Sequence, residues 1–208
     1  MEDILKVYQR PYDEKNPVVC MDESNKQQVQ DLVEPLRTKK AKVECYDSEY
    51  RRNGVSNLFM FFEPLRGYRR VEVTDTRKAL DWAHQIKYLL DVDYPKAEKV
   101  TLVMDNLNTH AGGSLYKAFN PEEASRLLDR LEIHYTPKHG SWLNIAEIEL
   151  SVLSRECLDR RIPNQQILRN EVKAWSERRN RNTSVVNWQF NSAQARVKLK
   201  HLYPIYST

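Results

Sequence analysis

A chain of 208 residues is long enough for one substantial domain with a hydrophobic core and short for two. With 40% hydrophobic and 30% charged residues it reads as a globular chain. No window approaches the roughly 18 consecutive apolar residues of a membrane span. The start MEDILKVYQRPYDEK lacks the basic, apolar and small-residue segments of a signal peptide, so a cytoplasmic protein without a membrane partner is expected.

Cys20, Cys45 and Cys157 are odd in number and widely spaced, which suggests neither a disulfide framework nor a zinc site. The net charge of +4 is small, but it is unevenly placed. From Ser151 onward there are 11 basic and 4 acidic residues, against 22 and 25 before it. Acid at the front and base at the back suit a carboxylate site followed by a phosphate-gripping tail, and equally a set of solvated helices.

Pro17 to Asp22 forms a short apolar run closed by an acid, the pattern of a buried strand delivering Asp22 at its C-terminal end. Lys26 to Arg52 reads as irregular, and Glu49 to Gly54 as a turn. Asn57 to Phe62, Gly67 and Arg70 to Thr74 read as a hairpin. A helix is predicted from Asp75 to about Leu90, capped by Asp75 or Thr76. Val100 to Met104 repeats the first strand and ends on Asp105. Beyond it come a helix over Glu122 to Leu131 and a strand over Ile133 to Thr136. A helix from Trp142 to about Arg160 carries Ala146, Leu150, Leu153 and Cys157 on one stripe. Further helices are predicted over Gln165 to Arg179 and near Ser192 to Leu199. The order implies a mixed α/β core over residues 1–160, with a basic helical extension over 161–208 packed on it.

Open α/β sheets expose their chemistry at the carboxyl ends of strands, so Asp22 and Asp105 can converge although 82 residues separate them. Adjacent carboxylates repel unless they share a proton or a cation, and oxygen ligands without His or Cys clusters favour Mg²⁺ or Mn²⁺. The late helix offers Glu147 and Glu149 as a third acid. Strand-end aspartates are also common caps and helical glutamates common solvated residues, so spacing alone leaves all three acids open.

The motifs go further. DNLNTH at Asp105 to His110 and HYTPKHGSWLNIAEIELSVL at His134 to Leu153 resemble the DDE transposases of bacterial insertion sequences related to the mariner superfamily. Met21-Asp22-Glu23, YRRNG at Tyr50 to Gly54 and NLFMFFEPL at Asn57 to Leu65 resemble the same group, and the resemblance runs from about Tyr8 to Pro204. It departs at Ile145, where the family carries proline. It also departs in the 41 residues between Asp105 and Glu147, a longer spacing that an insertion around Gly112 to Glu123 would absorb. Such transposases carry helix-turn-helix domains ahead of the nuclease, and this chain begins almost at the catalytic strand.

The resemblance implies a ribonuclease H-like mixed sheet flanked by helices. It also implies two Mg²⁺ (or Mn²⁺) ions held by Asp22, Asp105 and Glu147, with Glu147 preferred over Glu149 on the motif. Asn106, His110 and Asn144 are expected to fix ligand geometry. Arg51, Arg52, Lys138 and His139 are expected in loops flanking the acids, as contacts to double-stranded DNA, both transposon ends and target, and Trp142 at a helix start, where it either stacks on a base or packs the helix. Action as a homodimer on paired ends is a further implication. Two rivals carry their own expectations: a truncated remnant keeping fold and DNA affinity without transposition, and another ribonuclease H-fold nuclease. A receiver-like phosphoacceptor domain is contradicted by the Asn57 to Thr74 hairpin.

Overall fold

The computed structural model of the chain describes residues 1–33, 48–107, 110–138 and 140–203. Five strands form one sheet in the order β3-β2-β1-β4-β5. β1 (Val18–Asp31), β2 (Tyr50–Glu63) and β3 (Tyr68–Thr74) are an antiparallel meander. β4 (Val100–Met104) and β5 (Leu131–Tyr135) run parallel to β1. This mixed sheet with helices on both faces is the ribonuclease H-like arrangement that the resemblance implied.

Strand alternation splits the core in two. Cys20, Met60 and Val103 face one cluster with Ile4, Leu143, Leu153 and Trp175, while Met21, Phe59 and Met104 face the other with Trp82, Ile86 and Leu127. The central strands are covered on both sides, which is why Val100–Met104 is apolar at every position but Thr101.

β1 does not stop at Asp22. It continues to Asp31 because β2 pairs with it throughout, Asp22 beside Met60 and Val29 beside Arg52. Of the stretch expected to be irregular, Lys26 to Asp31 and Tyr50 to Arg52 are strand, residues 34–47 lie outside the described residues, and Glu49 to Gly54 is not a turn. Gly54 does need its positive φ of 107°, but spends it on a β-bulge, where the register shifts between Gln27 and Val29.

Three of the predicted helices differ in their bounds, while those over Gln165–Arg181 and Ser192–Lys198 lie where expected. α2 (Ala79–Tyr88) starts at Lys78 rather than at Asp75 or Thr76, because the Asp81 carboxylate accepts from the Lys78 backbone N–H at 2.7 Å. It runs into a π-helical turn, Leu89–Asp93. α4 (Pro121–Asp129) is capped by Asn120, which accepts from the Glu123 N–H, and Leu131 already belongs to β5. The predicted 142–160 helix is a 3₁₀ turn (Ser141–Leu143), α5 (Ile145–Leu153) and a π-helical turn (Ser154–Leu158). Two short helices went unread: α1 (Glu2–Val7), and α3 (Gly113–Ala118) within the segment expected as an insertion.

α6 (Gln165–Arg181) and α7 (Ser192–Lys198) add Leu168, Val172, Trp175 and Ala195 to the first cluster. Asn180 clasps β3 through both the N–H and the carbonyl of Arg69. Among the described residues no helix is long and apolar enough to cross a membrane.

Candidate active site

Register explains how the first two acids meet. Cys20 stands beside Val103 in the parallel β1–β4 pair. β4 ends one residue later at Met104, so Asp105 follows it directly, near enough to Asp22 for its charge to act on the Asp22 carboxyl. Asp22 thus lies inside β1, not at its end; it is β4 that ends. The Asp22 carboxyl is pushed up to about 6 by burial, with the charges of Asp105, Glu147 and Glu23 adding to the effect. The Glu23 backbone N–H, donating to Asp22 Oδ1 at 2.7 Å, opposes the rise.

Glu147 enters in the first turn of α5, exposed and within electrostatic reach of Asp22. Asn144 fixes that turn. Its side-chain oxygen accepts from the Ala146 N–H at 3.2 Å as the helix cap, and its amide donates to the Met21 carbonyl at 2.9 Å, next to Asp22. Tyr8 adds a second clamp by donating to the Leu143 carbonyl at 2.6 Å. Glu149, the alternative third acid, is buried and paired elsewhere. Arg179 Nε donates to its Oε1 at 2.7 Å, and Arg69 Nε lies 2.8 Å from the same oxygen as an ion pair, off the line of its N–H.

His110 lies five residues past Asp105 and is fully buried, with both ring nitrogens engaged. Nδ1 is 2.7 Å from Asp105 Oδ1 and Nε2 is 2.8 Å from Glu23 Oε1. Burial works against the charged ring, but the hydrogen bonds to Asp105 and Glu23 outweigh it and hold His110 at about 9. Both nitrogens then donate, as only the imidazolium can. Glu23 was not singled out from sequence as a site residue. The Met21-Asp22-Glu23 motif contained it, but nothing in a lone strand glutamate points to a histidine 87 residues away.

The other expected residues divide. Asn106 is exposed past β4 and, among the described residues, makes no side-chain hydrogen bond. Lys138 is exposed just beyond β5, at the end of the sheet that carries Asp105. His139 lies outside the described residues. Trp142 packs against Trp188 and Phe190, with ring centroids 6.5 and 6.2 Å away, and keeps 40% of its surface exposed. Arg51 and Arg52 are not in a loop flanking the acids but in β2, opposite Gln30 and Val29. At about 3.3 Å per residue that places them roughly 23–26 Å along β1 from Asp22.

Among the described residues no three His, Cys, Asp or Glu side chains form a ready metal-ligand cluster. The donor chemistry nevertheless fits a hard divalent cation: Asp22, Asp105 and Glu147 offer only carboxylate oxygens, and the imidazole of His110 has both nitrogens occupied. Burial does most to raise the Asp22 carboxyl, and the charges of Asp105, Glu147 and Glu23 add a like-charge crowding that such a cation relieves.

Residues 17–169 match the family of DDE superfamily endonucleases. Among solved structures the chain resembles the Mos1 mariner paired-end complex with Mn, at 13% identity and a TM-score of 0.57, over 88% of this chain and 56% of that one. The Mos1 strand transfer complex gives 14% and 0.58 over 88% and 56%. The Mos1 paired-end complex with Mg gives 16% and 0.57, again over 88% and 56%. At these identities the likeness is one of fold, and the chain spans 56% of the length of the Mos1 chains. No protein of curated function matches it.

Proposed function

Since the chain belongs to the DDE superfamily endonucleases, we propose that it is the catalytic core of a DNA transposase, cutting transposon-end phosphodiesters and transferring the 3′-hydroxyl strand into target DNA. Asp22, Asp105 and Glu147 hold two Mg²⁺ or Mn²⁺ ions in this reading. Bound there, the ions would supply Lewis-acid stabilisation of the attacking and leaving oxygens of an in-line displacement.

The observation that carries the proposal is the convergence of three acids from distant parts of the chain: Asp105 after β4 and Glu147 in the first turn of α5 both act electrostatically on Asp22 in β1, whose carboxyl is raised to about 6 chiefly by burial. The solved Mos1 complexes with Mn and Mg support the choice of metals. The chain's own residues do the positioning. His110 holds one oxygen of Asp105, and Asn144 ties the first turn of α5, which bears Glu147, to the strand that bears Asp22. Lys138, exposed at the same end of the sheet, would meet a phosphate, and Trp142, 40% exposed, would stack on a base. Arg51 and Arg52, far along the hairpin, would grip DNA away from the cut. A homodimer on paired ends accompanies this reading.

The test is nicking of supercoiled plasmid by the purified chain with Mn²⁺ or Mg²⁺. Cleavage abolished by Asp105→Asn and by Glu147→Gln supports the assignment; cleavage unchanged in either overturns that residue's role. A folded chain inactive in every form would favour the remnant reading.

A further inference from the structure

We infer that Glu23 is a positioning residue for the active site: through the His110 ring it holds Asp105 in one orientation from the opposite face of the sheet. The inference rests on the reading of Asp105 as a metal ligand.

The geometry is a three-member chain. Asp22 and Glu23 are neighbours in β1, so they leave the strand on opposite faces. Asp22 shares the face of Cys20. Glu23 shares that of Met21, where Trp82 and Met104 lie. On that face the Glu23 carboxylate, 4% exposed, accepts from His110 Nε2 at 2.8 Å, and His110 Nδ1 reaches Asp105 Oδ1 at 2.7 Å. The ring is further fixed by stacking on Trp82, with centroids 6.0 Å apart at 28°. Its backbone is held by the Leu107 carbonyl, which accepts from the His110 N–H at 2.9 Å, and by Tyr135, whose hydroxyl donates to the His110 carbonyl at 2.8 Å.

Stability alone does not explain the arrangement. Glu23 Oε2 is buried and has no hydrogen-bond partner among the described residues. A buried carboxylate bonded through one oxygen is an inefficient way to stabilise a core, and well-packed apolar side chains often replace buried ion pairs at no loss. What this carboxylate does supply is direction. A ring tied at Nε2 cannot turn its Nδ1 away from Asp105, so one oxygen of that half-exposed carboxylate is always taken and its rotamer set.

The experiment is a titration of the full chain with Mn²⁺, followed by calorimetry, alongside a thermal melt and NMR of the His110 ring without metal. Glu23→Leu is expected to stay folded, shift the His110 ring resonances and weaken Mn²⁺ binding by about 10- to 100-fold, as loss of partners behind metal ligands does. Glu23→Gln, which keeps the acceptor, should bind Mn²⁺ within about threefold of the wild type on the same grounds. Combining Glu23→Leu with His110→Ala should cost no more than His110→Ala alone, since the effect passes through the ring. Wild-type Mn²⁺ affinity in a folded Glu23→Leu chain overturns the inference. Should that variant fail to fold, a Glu23→Gln chain as impaired as His110→Ala overturns it too. Asp105→Asn separates the layers: if it binds Mn²⁺ as the wild type does, the metal reading itself falls and takes this inference with it.

Discussion

Glu147 and Glu149 stand two positions apart on α5 and face opposite ways: Glu147 is exposed on the side of Asp22, and Glu149 is 2% exposed between Arg69 and Arg179. At 100° per residue two positions turn a helix by about 200°, so only one of the pair can face the acids on β1 and beyond β4. The buried pair is then an anchor that sets which way the helix is turned.

That division predicts opposite mutational signatures. Arg69→Met leaves Glu149 buried with a weakened partner set and should destabilise the fold by about 3–5 kcal/mol, as does removal of one member of other buried pairs. Glu147→Gln, on an exposed position, should change stability by less than about 0.5 kcal/mol while abolishing metal-dependent nicking. Urea melts alongside the plasmid assay check both. A Glu147→Gln chain as unstable as Arg69→Met would refute the division.

A second prediction concerns acid. Arg126, then Lys87, pulls the Glu123 carboxyl down to about 2, and the same two cations lower Asp91. Arg126 Nε is 2.7 Å from Glu123 Oε2, and Lys87 Nζ contacts both acids. This network ties α4 to the end of α2. A carboxyl depressed in the folded state contributes stability above its ordinary value of 4.5, and that stability is lost as pH falls through about 2. Melts at stepped pH should therefore fall more steeply over that window in the wild type than in Glu123→Gln. Added salt should shrink the difference, because these groups are largely solvated. Parallel curves would show that the network carries no linkage.

The thiols give a third. Burial pushes Cys20 up to about 12 and raises Cys157 as well, with exposures of 0% and 8%. Thiolate is the reactive form, so both should resist alkylation in the native chain and react on unfolding in guanidinium. Pulse labelling mapped by mass spectrometry decides this. Rapid native modification of Cys20 would mean that β1 opens far more readily than its burial on both faces allows.

Legibility from sequence followed burial. Asn57–Phe62 and Val100–Met104 were readable as strands because both faces of each are covered, which forces apolar side chains at consecutive positions. Ser24 to Asp31 was not. There β2 satisfies the backbone while much of the side-chain surface stays in solvent, so polar residues are tolerated in a long strand. Glu49 to Gly54 reads as a turn, yet from Tyr50 it is strand, since a bulge makes the same demand on Gly54 as a turn does. At the site, Asp22, Asp105 and Glu147 were picked out by motif. Pairings such as Glu23 with His110, or Arg69 with Glu149, are products of packing between distant segments and leave no local trace.

Asn144 carries the last prediction, because a single side chain there does two jobs. It caps α5 through the Ala146 N–H, and its amide spends a buried hydrogen bond on the Met21 carbonyl, one residue before Asp22. Losing a cap costs about 1 kcal/mol, and losing the buried bond to the Met21 carbonyl adds roughly 1 kcal/mol. Asn144→Asp keeps the cap acceptor, loses the donor and sets a carboxylate against a carbonyl. Asn144→Ala loses both. If the tie to β1 is what places Glu147, both variants should nick plasmid at least about tenfold more slowly than wild type, as happens when supporting groups behind metal ligands are removed. Asn144→Asp should do so although its helix cap survives. Nicking at the wild-type rate in a folded Asn144→Asp chain would mean that the cap alone positions α5 and that the bond to Met21 serves stability only.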